Sequence, residues 1–97
     1  MQRVAIVGCG FVADLYMRSF AVHPEIEVVS CYDRDAARLA AFSKHWNVAA
    51  AADLAAVFTE VAGTGLLLNL TNPRAHYDVN KAALEAGCHV FCEKSLA

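Results

Sequence analysis

Arg3-Val4-Ala5-Ile6-Val7-Gly8-Cys9-Gly10-Phe11-Val12-Ala13 is the stretch whose reading decides the fold. Arg3 to Val7 is a short apolar run that ends in glycines, as expected of a strand buried on both faces. From Phe11 to about Val22 the chain suits a helix with Leu15, Ser19 and Phe20 on one side, and His23-Pro24 stops it. Between them lies Gly-x-Gly-x-x-Ala, in which each small residue has a task. Gly8 permits the tight turn, and Gly10 has no Cβ to block an approaching group. Ala13 is small enough for the helix to pack on the strand. The first amides of that helix, at Phe11 and Val12, have no partner within it and favour negative charge.

Working outward, apolar runs and helical patterns alternate to the end of the chain. Ile26 to Tyr32 is β-branched and reads as a second strand. Asp35 can cap a helix reaching Trp46, with Leu39, Phe42 and Trp46 on one face. Asn47 to Ala50 suits a short third strand, and Asp53 to Glu60 a short helix presenting Leu54, Val57 and Phe58. Gly63 and Gly65 bracket a turn before a fourth strand, Leu66 to Leu70. Asn72 then caps a helix with Pro73 at its first position. That helix is expected to carry Val79, Ala82, Ala83 and Ala86 inward and to end at Gly87, before a fifth strand from Cys88 to Cys92. Such alternation predicts an α/β fold: a doubly wound parallel sheet of the Rossmann type, one domain over residues 1–97. In that fold every strand's carboxyl end lies along one edge, where ligands bind. The loops there are Gly8–Ala13, Asp33–Arg34, Thr71–Asn72 and Glu93–Lys94.

The spacing along that edge points to a dinucleotide. A glycine-rich hexapeptide occurs by chance, but here twenty residues separate Ala13 from Asp33. That is the offset at which such a site keeps its ribose-binding acid. Asp33 at the end of the second strand can accept both hydroxyls of an adenosine ribose, which favours NAD over NADP. Arg34 beside it can stack on adenine or turn to hold a phosphate, so NADP stays open.

Composition bounds the rest. Ninety-seven residues, 58% hydrophobic and 19% charged, give one core with more apolar surface than a free-standing small domain needs. The surplus calls for cover by a second domain or a partner subunit, and a homo-oligomer is expected of the full-length form. A net charge of −2 suggests no nucleic-acid or anionic-membrane partner. No run approaches the ~20 apolar residues of a membrane-spanning helix, and Val4 to Val7 is too short for a signal sequence, so a cytoplasmic location is expected. Cys88 and Cys92, four apart in a strand-like run, place their Cα atoms ~13 Å apart, too far to bridge. Nor can a strand bring them and His89 to one metal ion. Cys9, Cys31, Cys88 and Cys92 read as buried, reduced thiols.

The C-terminal run, Thr71-Asn72-Pro73-Arg74-Ala75-His76 followed by Ala82-Ala83-Leu84-Glu85-Ala86-Gly87-Cys88-His89-Val90-Phe91-Cys92-Glu93-Lys94, closely resembles one large family. This is the group named after glucose–fructose oxidoreductase, inositol dehydrogenase and a rhizopine-catabolism protein. The glycine loop and Tyr32-Asp33-Arg34 fit it too, so the resemblance covers the whole chain. It implies an NAD(P)-dependent oxidoreductase moving a hydride between the cofactor and a sugar, a cyclitol or a similar small polyol. Carried over, it implies that Thr71 and Asn72 line the pyrophosphate and nicotinamide-ribose side. It puts His76 nearby at the helix start, and Glu93 and Lys94 as a pair at the last strand's end. Lys94 is then the catalytic residue, its ammonium polarising the reacting oxygen. Without the family, Glu93–Lys94 is an ordinary surface pair and His76 a solvated or packing residue.

The family's next residue is proline, and here it is Ser95, which bears on how Lys94 is aimed and not on cofactor binding. The family's second, α+β domain is absent from these residues. The chain is therefore expected to be the N-terminal piece of a longer two-domain protein, inactive by itself. A non-catalytic NAD(P)-sensing regulator is the alternative within the family, and Ser95 is the feature that favours it.

Overall fold

The computed structural model describes residues 2–92. Eight elements follow in order: β1 Gln2–Val7, α1 Phe11–Phe20, β2 Ile26–Tyr32, α2 Ala36–Trp46, α3 Leu54–Val61, β3 Leu66–Asn69, α4 Pro73–Glu85 and β4 His89–Cys92. The strands form one parallel sheet in the order β2-β1-β3-β4. The two central strands, β1 and β3, carry the continuous apolar runs, because a strand flanked by strands and covered on both faces has no side left for water.

Alternation along the central strands divides the core in two. Ala5, Val7 and Leu67 point to one face and pack with Val57, Phe58 and Val61 of α3 and Val79 and Ala83 of α4. Val4, Ile6 and Leu68 point to the other and meet Ala13 of α1 and Phe42 of α2. Ile6 and Leu67 are wholly buried. Each contributes roughly 1.5–3 kcal/mol by removal from water. Helices on both faces of a parallel sheet are the doubly wound arrangement expected from the alternation.

The strands end level: Val7 pairs with Tyr32 on one side and with Asn69 on the other, and Asn69 pairs with Cys92. This places the loops after β1, β2 and β3 side by side on one edge. Among the described residues no helix is long and apolar enough to cross a membrane. The four cysteines carry free thiols, three buried and Cys92 half-buried.

Four local expectations need correcting. The third strand at Asn47–Ala50 is reduced to a single bridge, Cys31 to Ala50, held by Cys31 N–H donating to Ala49 and Ala51 N–H to Cys31. Two alanines there offer a strand little to pack. The last strand is thus the fourth. α1 ends at Phe20, earlier than Val22, and buries Ala13 while Tyr16, Met17 and Phe20 pack partly against the core; Leu15 and Ser19 face outward. α4 buries only Val79 and Ala83, and Ala82 and Ala86 are exposed, because one i, i+4 stripe is all that the short strands β3 and β4 cover. β3 stops at Asn69, one residue short of Leu70.

Candidate dinucleotide site

The site is built where β1 turns into α1. Gly8 sits at φ +97, and a Cβ there would lie 2.6 Å from the carbonyl carbon of Leu70, so the loop after β3 closes directly on it. Both conformation and space demand glycine. Gly10 is different. It has extended backbone, φ −90 and ψ −159, and a Cβ there would meet only Arg38 Nη1 at 4.0 Å. What glycine provides at this position is an open approach to the helix start. Gly10 is the N-cap of α1 and gives it no side-chain cap. Ala13 is buried below, letting the helix sit close on the sheet, while Phe11 and Val12 put their side chains into solvent.

The other three helices begin differently. The Asp35 carboxylate accepts from Arg38 N–H at 3.1 Å, Asp53 from Ala56 N–H at 2.9 Å, and the Asn72 amide oxygen from Ala75 N–H at 3.1 Å. Each of those termini has an oxygen already in place. Among the described helices, only the first leaves its amides and dipole without a side-chain cap, open to a group from outside the chain.

Asp33 holds the loop in shape. Its Oδ2 accepts from Cys9 N–H at 2.9 Å and its Oδ1 from Asp35 N–H at 2.8 Å, so one carboxylate ties the glycine loop to the start of α2. Each oxygen keeps a lone pair free for a hydroxyl. Arg38 Nη1 stands 4.0 Å from Oδ2. Beneath the loop, the Cys9 thiol touches Cys31 and Tyr32 O. That thiol contact, then burial, push its pKa far above the usual thiol range. The same contact shifts the Cys31 thiol the other way, below its ordinary value.

These parts border one cleft of about 750 Å³ along the sheet edge. Gly8, Gly10, Asp33 and Arg34 form one wall, and Thr71, Asn72, Arg74 and Ala75 the other. Leu54 and Val79 supply apolar surface suited to a flat ring. Of the residues expected from sequence, Gly8, Gly10, Asp33, Arg34, Thr71 and Asn72 meet here. His76 does not line the cleft. Its carbonyl accepts from the Asn69 amide at 3.0 Å, and among the described residues its buried Nε2 has no partner. Glu93 and Lys94 lie outside the described residues, as does Ser95.

Two residues were missed. Asn69, wholly buried at the end of β3, donates to His76 O and to Asn80 Oδ1 at 2.8 Å, and accepts from Thr71 N–H at 3.2 Å and Thr71 Oγ1–H at 2.6 Å. It sets the second wall of the cleft. The signal was a lone amide closing the apolar run Leu66-Leu67-Leu68, since a polar group at a buried strand end needs partners. Arg38 is the other. It sits in the first turn of α2, where a cation opposes the helix dipole and needs another reason to be there.

Comparison with known proteins agrees with this geometry. Residues 2–97 match the GFO_IDH_MocA family, the oxidoreductase family with an NAD-binding Rossmann fold. The chain belongs to this family. Its relatives include D-glucoside 3-dehydrogenase of Escherichia coli K12, 36% identical over 95 residues, which cover 95% of this chain and 26% of that protein. The solved structure of the WlbA dehydrogenase of Chromobacterium violaceum, in complex with NADH and UDP-GlcNAcA, superposes with a TM-score of 0.85 at 27% identity. It is matched over 99% of this chain and 28% of its own. Biliverdin reductase of Synechocystis, in complex with biliverdin and NADP+, gives 0.83 at 30% identity, over 98% of this chain and 30% of its own. The chain thus spans about a quarter to a third of the length of these relatives. As a member of the family it is an NAD-binding Rossmann domain.

Proposed function

We propose that residues 1–97 are the cofactor-holding part of a dehydrogenase that moves a hydride between NAD(P) and a sugar, cyclitol or similar small polyol. The observation that carries the reading is the start of α1, the one of the four described helices without a side-chain cap, opening at Gly10 onto a cleft whose other wall is polar. The amides of Phe11, Val12 and Ala13 would take the pyrophosphate, and Asp33 a ribose hydroxyl on its remaining lone pairs. Arg34 would lie along the adenine, and Thr71 and Asn72 would line the cofactor's other side. When bound, the dinucleotide supplies a carbon that accepts or gives up hydride. In this reading Glu93 and Lys94, the next two residues in the sequence after β4, serve the substrate side of the cofactor. Lys94 orients and polarises the substrate oxygen. The substrate class is supported by relatives whose names include a glucoside dehydrogenase and a complex with a sugar nucleotide.

Titration calorimetry with NAD on the 97-residue chain tests the cofactor half, with binding expected and turnover of substrate not. For a protein carrying this domain together with whatever completes it, a panel of sugars and polyols should reveal hydride transfer that Lys94→Ala abolishes. NAD binding with no turnover of any member of the panel would instead favour the sensing role that Ser95 raises.

A further inference from the structure

The open start of α1 carries an acid of its own. Asp14 stands in the first turn, its N–H closing that turn on the Gly10 carbonyl at 3.3 Å. A carboxylate there suits the helix dipole while nothing else occupies the site. It opposes an incoming pyrophosphate, because two anions then share one helix end. Helix side chains lean toward the N-terminus, so an untethered Asp14 carboxylate would be free to swing over the bare amides one turn back.

The carboxylate is tethered. Trp46 Nε1–H, from the last turn of α2, donates to Asp14 Oδ1 at 2.7 Å, the short distance of a charge-assisted bond. Trp46 is itself braced. It is half-buried against the core, with the Phe42 ring centroid 6.5 Å away and the His45 ring edge-on at 4.6 Å. The bond draws Asp14 sideways, toward α2 and into the groove between the two helices, which Arg18, Arg38 and His45 also line. Among the described residues none of these three pairs with Asp14, so the indole N–H is what holds the carboxylate in place.

Resting on the dinucleotide reading above, we propose that Trp46 is a positioning residue for the cofactor's anion site: by tethering Asp14 to α2 it keeps a competing carboxylate off the start of α1. The test is titration calorimetry of NAD against the 97-residue chain, Trp46→Phe, Asp14→Ala and the double variant, with circular dichroism showing that each is folded. Phenylalanine keeps a ring for the core and loses the N–H. Trp46→Phe should weaken NAD about five-fold, the effect of one released charge in a half-exposed site, and that ratio should shrink as salt is added. Asp14→Ala should bind NAD at least as tightly as the unsubstituted chain. The double variant should match Asp14→Ala, since no carboxylate is left to hold. Equal weakening by Trp46→Phe in both backgrounds would mean that the indole acts by packing alone and would overturn the proposal, as would an unchanged affinity in Trp46→Phe. Should Trp46→Phe fail to fold, Asp14→Glu takes its place. A carboxylate one methylene longer reaches further back along α1 and should weaken NAD to a similar degree, and undiminished affinity would overturn the proposal. An unsubstituted chain that does not bind NAD would defeat the dinucleotide reading itself, and the proposal with it.

Discussion

Two loops meet at the carboxyl edge of the sheet and each leads into a helix, but they are made by opposite means. The loop after β1 is shaped by backbone: Gly8 in a conformation only glycine holds cheaply, Gly10 with nothing over it, and a helix start left bare. The loop after β3 is shaped by side chains, with Asn69 at the centre of four hydrogen bonds and Asn72 closing the start of α4. One loop leaves its hydrogen-bonding capacity open, and the other spends it internally. An open helix start is a place for an anion, and a satisfied one is a wall. The cleft needs both.

If that contrast is right, damage to the two loops should differ in kind. The largest effect belongs to Gly8→Ala, which forces a Cβ against the Leu70 carbonyl in a left-handed backbone. Denaturant titration should show a loss of about 3 kcal/mol, together with loss of NAD binding. Asn69→Ala comes next, stranding Thr71, Asn80 and the His76 carbonyl, at a cost of about 2–3 kcal/mol by the same measurement. Asn69→Asp should fall between it and the unsubstituted chain, because it keeps the acceptor for Thr71 and loses the donor. Asn72→Ala removes a cap and should cost about 1 kcal/mol in thermal or chemical unfolding. Were it to cost nothing while Gly10 variants cost a great deal, the division between a satisfied and an open helix start would be wrong.

The open loop was the more legible of the two in the sequence. Glycines, a buried strand, a following helix and an acid twenty residues on are local signals, and they placed Gly8, Gly10, Ala13, Asp33 and Arg34 together. Asp35, Asn72 and Pro73 announced their helix starts for the same reason. The satisfied loop was harder, because Asn69 reads as one polar residue in an apolar run until the partners around it are seen. Arg38 was hidden likewise, since its meaning comes from Asp33 and Gly10 across the fold. The inward faces of α1 and α4 were misjudged at Leu15, Ser19, Ala82 and Ala86. Periodicity gives the spacing of a stripe, whereas its width depends on how much sheet lies beneath.

The smallest expected change in stability is also the most telling. Gly10→Asp would give α1 the kind of cap that α2 and α3 carry, at a position whose backbone any residue can adopt and where a Cβ meets nothing closer than 4.0 Å. Calorimetric titration of NAD against this variant, with its unfolding followed in parallel, is the direct test. Stability should stay within a few tenths of a kcal/mol of the unsubstituted chain, while NAD affinity falls by at least about ten-fold, as a carboxylate takes the place meant for phosphate. An intact Gly10→Asp protein that binds NAD as tightly as before would contradict the assignment of the α1 start as the cofactor's anion site.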